Sequence, residues 1–285
     1  MKRFVLLLSI LAVFVVGSCA TGPQRSVAPP EKVSITADVV YGHKEGMALF
    51  YDVFRPVNAD GAAVLYMVSG GWFSRWLPPQ TRIAGFTPLL DKGITVIAVH
   101  HGSAPRFKVP EAVADVRRAV RHVRLNAAAL RINPDRLGVF GGSAGGHLAL
   151  MLGLASDAGN PSASDPVERV SNSVKAVVAF YPPVDLRRWS VFKDRFPALD
   201  FNQNLAADVS PLLFVDKGDP PTLIVHGSAD KLVPVRLGQS IYEALKAAGV
   251  PTNFIMIDGG EHGFPKAEHR AQAMKAAADW FAEKL

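Results

Sequence analysis

The sequence predicts an α/β fold, with a mostly parallel sheet of about eight strands covered by helices on both faces. Three observations lead there. Short, unbroken aliphatic runs such as Val64–Val68, Ile94–Val99 and Val174–Phe180 have the character of strands buried on both faces. Helix-period segments separate them. The 285 residues are 49% hydrophobic and 20% charged, which suits one large core and excludes a disordered chain.

Taken in order, the chain opens outside that fold. Met1–Arg3 is basic, and Phe4–Val16 is an apolar stretch too short for an ordinary transmembrane helix. Val33–Tyr41 and Met47–Phe54 read as two strands joined by a hairpin over Gly42–Gly46. Val64–Val68 is a buried strand followed by Ser69-Gly-Gly-Trp-Phe73. A helix over Ile83–Asp91 is closed by Gly93, and Ile94–Val99 is the next strand. Pro110 opens a helix running to about Leu130. Its Arg117, Arg118, Arg121 and Arg124, with Arg131, form no block, so they read as a solvated face rather than a nucleic-acid patch.

Leu137–Phe140 is a short strand, and His147–Leu154 has helical character. Ser156–Ser173 is polar and reads as a loop, and Val174–Phe180 is another buried strand. Arg187–Asp208 is irregular and aromatic-rich (Trp189, Phe192, Phe196, Phe201), which reads as a small lid insert. Thr222–Val225 is a strand, Val235–Ala248 a helix, Thr252–Ile257 the last strand and Pro265–Leu285 the last helix.

Between Leu137–Phe140 and the following helix lies Gly141-Gly-Ser-Ala-Gly145. A serine at the apex of a glycine-flanked strand-to-helix turn is the setting of an exposed nucleophile. Such a turn also packs sheets or binds phosphate at a helix N-terminus. The residues that follow later strands favour the first reading. A serine needs a base to take its proton and a carboxylate to orient that base. In doubly wound sheets such groups sit beyond the strand C-termini. Asp230 follows Thr222–Val225, and His262 follows Thr252–Ile257, so both fall at the edge that carries Ser143. Asp185 and Glu261 are rival carboxylates. Among the other histidines, His226 reads as structural, His147 as pointing away along its helix, and His43, His122 and His269 as solvated. His100 and His101 end a strand at the reactive edge. Asp115 reads as structural. An oxyanion needs N–H donors: Ala144 supplies one, and the loop holding Gly70 and Gly71 supplies the others.

These residues resemble the hormone-sensitive-lipase-like and feruloyl/acetylxylan-esterase-like branch of the α/β-hydrolases. The resemblance spans about residues 33–285. It rests on Tyr51-Asp-Val-Phe-Arg-Pro56, Gly70-Gly-Trp-Phe73, Ala104-Pro105 with Pro110–Asp115, and Asn133-Pro-Asp-Arg136. It continues through Gly141–His147, Tyr181-Pro-Pro-Val-Asp-Leu186, His226-Gly with Asp230 and Val233-Pro234, and His262-Gly-Phe264. It implies a serine carboxylesterase with nucleophile Ser143, acid Asp230, base His262 and oxyanion donors Gly70, Gly71 and Ala144. Its substrate is a small-molecule or carbohydrate ester. From their places in the chain, Trp72, Phe73, His101 and Trp189 are candidate substrate contacts, with core packing the equal alternative for the aromatics Trp72, Phe73 and Trp189. No cofactor and no metal are implied, and no nucleic-acid partner. A peptidase or amidase on the same fold is the rival activity, and a weakly catalytic binding or scaffold protein the rival class. Two departures stand out. Val68-Ser69 occupies the place of His-Gly in the usual His-Gly-Gly-Gly-Trp loop. His100-His101 lies where a Tyr-Arg-Leu-Ala-Pro run is common.

Val16-Gly-Ser-Cys19-Ala20 resembles a bacterial lipobox. It implies a signal peptide over residues 1–18, lipidation at Cys19, a tether over 19–32 and the hydrolase domain over 33–285. Cys19 is the only cysteine, so no intrachain disulfide forms. Removal of Lys2 and Arg3 takes the formal charge from +6 to +4. Ala20 resembles the pattern that sends lipoproteins to the outer membrane, facing the periplasm.

Overall fold

A computed structural model describes residues 32–285. The predicted signal peptide, Cys19 and all but the last residue of the tether lie outside the described residues. The strands are β1 (Val33–Lys44), β2 (Met47–Pro56), β3 (Ala63–Met67), β4 (Thr95–Val99), β5 (Leu137–Gly142), β6 (Ala176–Phe180), β7 (Thr222–Gly227) and β8 (Thr252–Ile257). The helices are α1 (Ile83–Leu90), α2 (Val109–Leu125), α3 (Ala144–Leu154), α4 (Val235–Ala247) and α5 (Ala267–Lys284). All eight strands form one sheet in the order β1-β2-β4-β3-β5-β6-β7-β8. β1 and β2 pair antiparallel, as do β2 and β4, and every later pairing is parallel.

The sheet divides the core in two. α2, α3 and α4 bury Val116, Val120, Leu148 and Ile241 against one face. α1 and α5 bury Phe86, Leu89, Ala277 and Phe281 against the other. β4 and β6 are buried at every residue, which is why they read as unbroken aliphatic runs. Every residue of α3 is buried as well. Its glycines let it lie close: a Cβ on Gly153 would stand 2.5 Å from Val177 Cγ2 of β6.

Three expectations are corrected. The hairpin turn is tighter than predicted: β1 runs on to Lys44, and only Glu45 (φ 48°) and Gly46 (φ 79°) turn the chain. α2 stops at Leu125, because Arg131 takes a left-handed φ of 51° and Asn133 donates its N–H to Gly61 O, steering the chain into β5. The arginines of α2 are not a solvated face. Arg121 is buried and pairs with Asp157 and Glu168, and Arg118 pairs with Asp165 and Glu168. Arg124 donates to the carbonyls of Ser171, Pro134 and Ser173. These cations strap the polar loop 156–173 onto the helix.

Candidate active site

The turn between β5 and α3 is built by sterics. A Cβ on Gly141 would stand 2.5 Å from the backbone of Gly145, and one on Gly145 would stand 2.7 Å from Met67 O. Only glycine lets β5, α3 and β3 approach this closely. Ser143 sits at the apex with φ 54° and ψ −121°, a strained conformation for a residue with a side chain. Its N–H donates to Phe180 O, and its own carbonyl accepts from His147 N–H, so both sides of the turn are tied down.

β7 and β8 deliver the partners. His262 Nε2 lies 2.9 Å from Ser143 Oγ, and His262 Nδ1 lies 2.7 Å from Asp230 Oδ2. Asp230 Oδ1 accepts from the N–H groups of Leu232 and Val233, each at 2.9 Å. Burial alone pushes the Asp230 carboxyl up. Hydrogen bonds from His226, His262 and the Val233 N–H outweigh it and hold the group well below the usual carboxylate range. The carboxylate therefore stays ionised, and it fixes the proton of His262 on Nδ1, leaving Nε2 to accept the Ser143 proton. The Tyr181 ring meets the His262 ring edge-on at 4.8 Å. Tyr181 was not singled out in the sequence as a site residue. Its signals in the sequence are its place directly after a strand at the reactive edge and its position at the head of the Tyr181-Pro-Pro-Val-Asp-Leu186 motif.

The rivals fall away on contacts. Asp185 is held by Arg187, 2.7 Å away, and Glu261 is exposed. His147 is fully buried, takes the Trp72 indole N–H on Nδ1 and donates from Nε2 to Val209 O. His226 donates from Nε2 to Val233 O, which shapes the loop holding Asp230. Asp115 accepts from Gly102 N–H and Lys44, a structural role. His122 is not simply solvated, since its Nδ1 lies 3.1 Å from Tyr51 OH.

The loop after β3 changes two expectations. Gly70 and Phe73 exchange both backbone hydrogen bonds at 3.0 Å, with Gly71 (φ 58°) and Trp72 (φ 61°) between them. This is a tight turn with two left-handed residues. The Gly70 N–H is thus committed to Phe73 O and is removed from the predicted oxyanion donors. The N–H groups of Gly71 and Ala144 have no protein acceptor among the described residues. Glycine suits position 71, because a Cβ there would stand 2.9 Å from the Phe196 ring and the chain takes φ 58°. Trp72 is not a substrate contact either. It is 2% exposed and lies edge-on to His147 at 5.5 Å. His101 is likewise corrected: it is 4% exposed, with both ring nitrogens occupied by Ser69 Oγ and Gly102 O. Phe73 and Trp189 are partly buried and pack against the core on the α3 side, as does Phe196. The lid insert is a run of short 3-10 turns between Ser190 and Phe214. No group of three or more His, Cys, Asp or Glu is arranged to hold a metal among the described residues.

This geometry has known relatives. The BD-FAE family model matches residues 51–245, well over half of the chain. The chain belongs to the BD-FAE family. Its fold matches a truncated carbohydrate esterase from gut microbiota, with 27% identity, a TM-score of 0.73, and 90% of this chain and 98% of that one covered. The apo form of Thermogutta terrifontis esterase 2 matches at 26% identity and a TM-score of 0.73, covering 90% of this chain and 96% of that one. The latter esterase is also known phosphorylated by paraoxon. Esterase LipQ of Mycobacterium tuberculosis is 29% identical over 90% of this chain. An acetylxylan esterase of Xylanibacter ruminicola is 28% identical over 74% of it. The chain spans 62% of LipQ and 42% of the acetylxylan esterase, so these relatives are longer proteins. Its BD-FAE match runs from within β2 through most of α4, and His262 lies beyond it.

Proposed function

We propose that the protein is a serine hydrolase of carboxylic esters that works through an acyl-enzyme on Ser143. The observation that carries this reading is the unbroken chain Ser143 Oγ–His262–Asp230 at 2.9 and 2.7 Å. Ser143 Oγ attacks the ester carbonyl carbon while its proton passes to His262 Nε2. The imidazolium formed is stabilised by the ionised Asp230. The carbonyl oxygen becomes an oxyanion and takes hydrogen bonds from the N–H groups of Gly71 and Ala144. His262 then gives its proton to the departing alcohol. Water, deprotonated by His262, attacks the acyl-enzyme, releases the acid and restores Ser143.

The relatives named esterases support an ester over an amide, and two of them are named for carbohydrate or acetylxylan substrates. A carbohydrate ester is the substrate class we favour. The ordered loop over Gly70–Phe73 argues against a scaffold that has lost its oxyanion site. A fluorophosphonate probe tests the nucleophile. It is expected to add once per chain, at Ser143, and labelling is expected to vanish in Ser143→Ala. Undiminished labelling of that variant would overturn the assignment.

A further inference from the structure

Position 68 is an aliphatic valine, so the side chain at the head of the oxyanion loop makes no hydrogen bond there. The loop nevertheless holds Trp72 at φ 61°, a conformation a bulky residue keeps only under constraint. A polar tie comes from the loop after β4 instead. His101 Nδ1 lies 2.9 Å from Gly102 O, and a carbonyl only accepts, so Nδ1 carries the ring proton. Nε2 is then an acceptor, and Ser69 Oγ at 2.9 Å must donate to it. Burial keeps this imidazole neutral by pulling it down to about 4, which preserves that polarity at neutral pH. The same loop makes further ties: Ala104 N–H donates to Trp72 O, and Ser74 N–H donates to Ser103 Oγ.

We propose that Ser69 and His101 form a clamp that positions the oxyanion loop. The Ser69 hydroxyl hydrogen is used up on His101, so Ser69 is not itself an oxyanion donor. Ser69 precedes the turn that aims the Gly71 N–H, and His101 holds Ser69 from the neighbouring strand end. The two departures from the usual sequence pattern, Val68-Ser69 and His100-His101, thereby become one device. Both are positioning residues: neither touches substrate. The proposal rests on the esterase reading, because the loop matters to rate only if Gly71 N–H meets an oxyanion.

The test combines steady-state kinetics on p-nitrophenyl acetate with hydrogen exchange of the loop amides. A misplacement of about 1 Å costs up to a hundredfold in rate, so Ser69→Ala is expected to lower kcat by roughly 10- to 100-fold. KM should stay within about twofold, since ground-state binding is untouched. Ser69→Thr keeps the hydroxyl and should recover most of the loss. His101→Ala combined with Ser69→Ala should be no worse than the worse single variant, since one interaction is lost once. In Ser69→Ala the Gly70 and Phe73 amides should exchange faster. Unchanged kcat in folded Ser69→Ala, or losses that simply add in the double variant, would overturn the clamp. If the unaltered protein hydrolyses no ester, the esterase reading fails on its own. Exchange then decides: faster loop exchange in Ser69→Ala upholds the clamp, and unchanged exchange overturns it.

Discussion

Asp230 uses its two oxygens for different tasks. Oδ1 closes its own loop through the N–H groups of Leu232 and Val233, and Oδ2 orients His262. Asp230→Asn keeps the shape but puts an amide where a pure acceptor is needed, which favours the wrong His262 tautomer. We expect kcat for ester hydrolysis to fall by about ten-thousandfold, the scale of that change in a well-studied Ser-His-Asp protease. Rate assays on the folded variant check this, and a loss under tenfold would contradict the role. Ser143, Asp230 and His262 are legible in the sequence because each lies within a few residues of the C-terminal end of a strand, which fixes the sheet edge without any knowledge of contacts. The role of Gly70 is not legible, because nothing in Ser69-Gly-Gly-Trp-Phe73 reveals which amide the turn consumes. The edge that carries His101 is legible but the direction of its ring is not, since strand position does not say where a ring points.

At the scale of elements, the site depends on three segments meeting at glycines: β5 into α3 at Gly141, and α3 against β3 at Gly145. Gly141→Ala would press a methyl to 2.5 Å from the Gly145 carbonyl group, which is backbone and cannot rotate away. Overpacking of a core costs about 1–3 kcal/mol, so the variant should lower stability in urea unfolding by that order. Because the strain falls on the turn, activity should drop by more than stability alone explains. An Ala variant as stable and active as the parent would show that the turn has slack. Strand and helix positions were legible from periodicity to within a few residues. The end of α2 is not: Asn126-Ala-Ala-Ala-Leu130 is good helix sequence, and the left-handed Arg131 and the tertiary bond from Asn133 N–H to Gly61 O turn the chain away. The arginines of α2 looked solvated because their partners, Asp157, Asp165 and Glu168, lie more than thirty residues later in a loop without periodic signal.

Across the whole molecule, two buried histidines couple stability to pH. Burial pulls His101 and His147 each down to about 4, against about 6.5 in an unfolded chain. Between those values the unfolded chain binds more protons than the folded one. Their contribution is fully present above about pH 6.5 and is lost as pH falls towards 4, at up to about 1.4 kcal/mol per pH unit for each. Asp219 works in the opposite sense. Burial, aided by the charge of Asp216, raises its carboxyl to about 6, so it favours the folded state on acidification. We expect urea-unfolding stability to fall from pH 6.5 to 4, and Asp219→Asn to steepen the fall. Stability that holds level over that range would mean the histidines are not buried neutral.

Ester hydrolysis by this protein depends on Ser143, His262 and Asp230 acting as one acyl-transfer unit with the Gly71 and Ala144 amides. The most direct test is the hydrolysis of p-nitrophenyl acetate by the full chain and by Ser143→Ala under identical conditions. Turnover by the unaltered protein is expected to depend on Ser143, falling to the background of the oxyanion site and binding alone in the variant. Well-folded protein that cleaves no short-chain ester, or a variant as active as its parent, would contradict it.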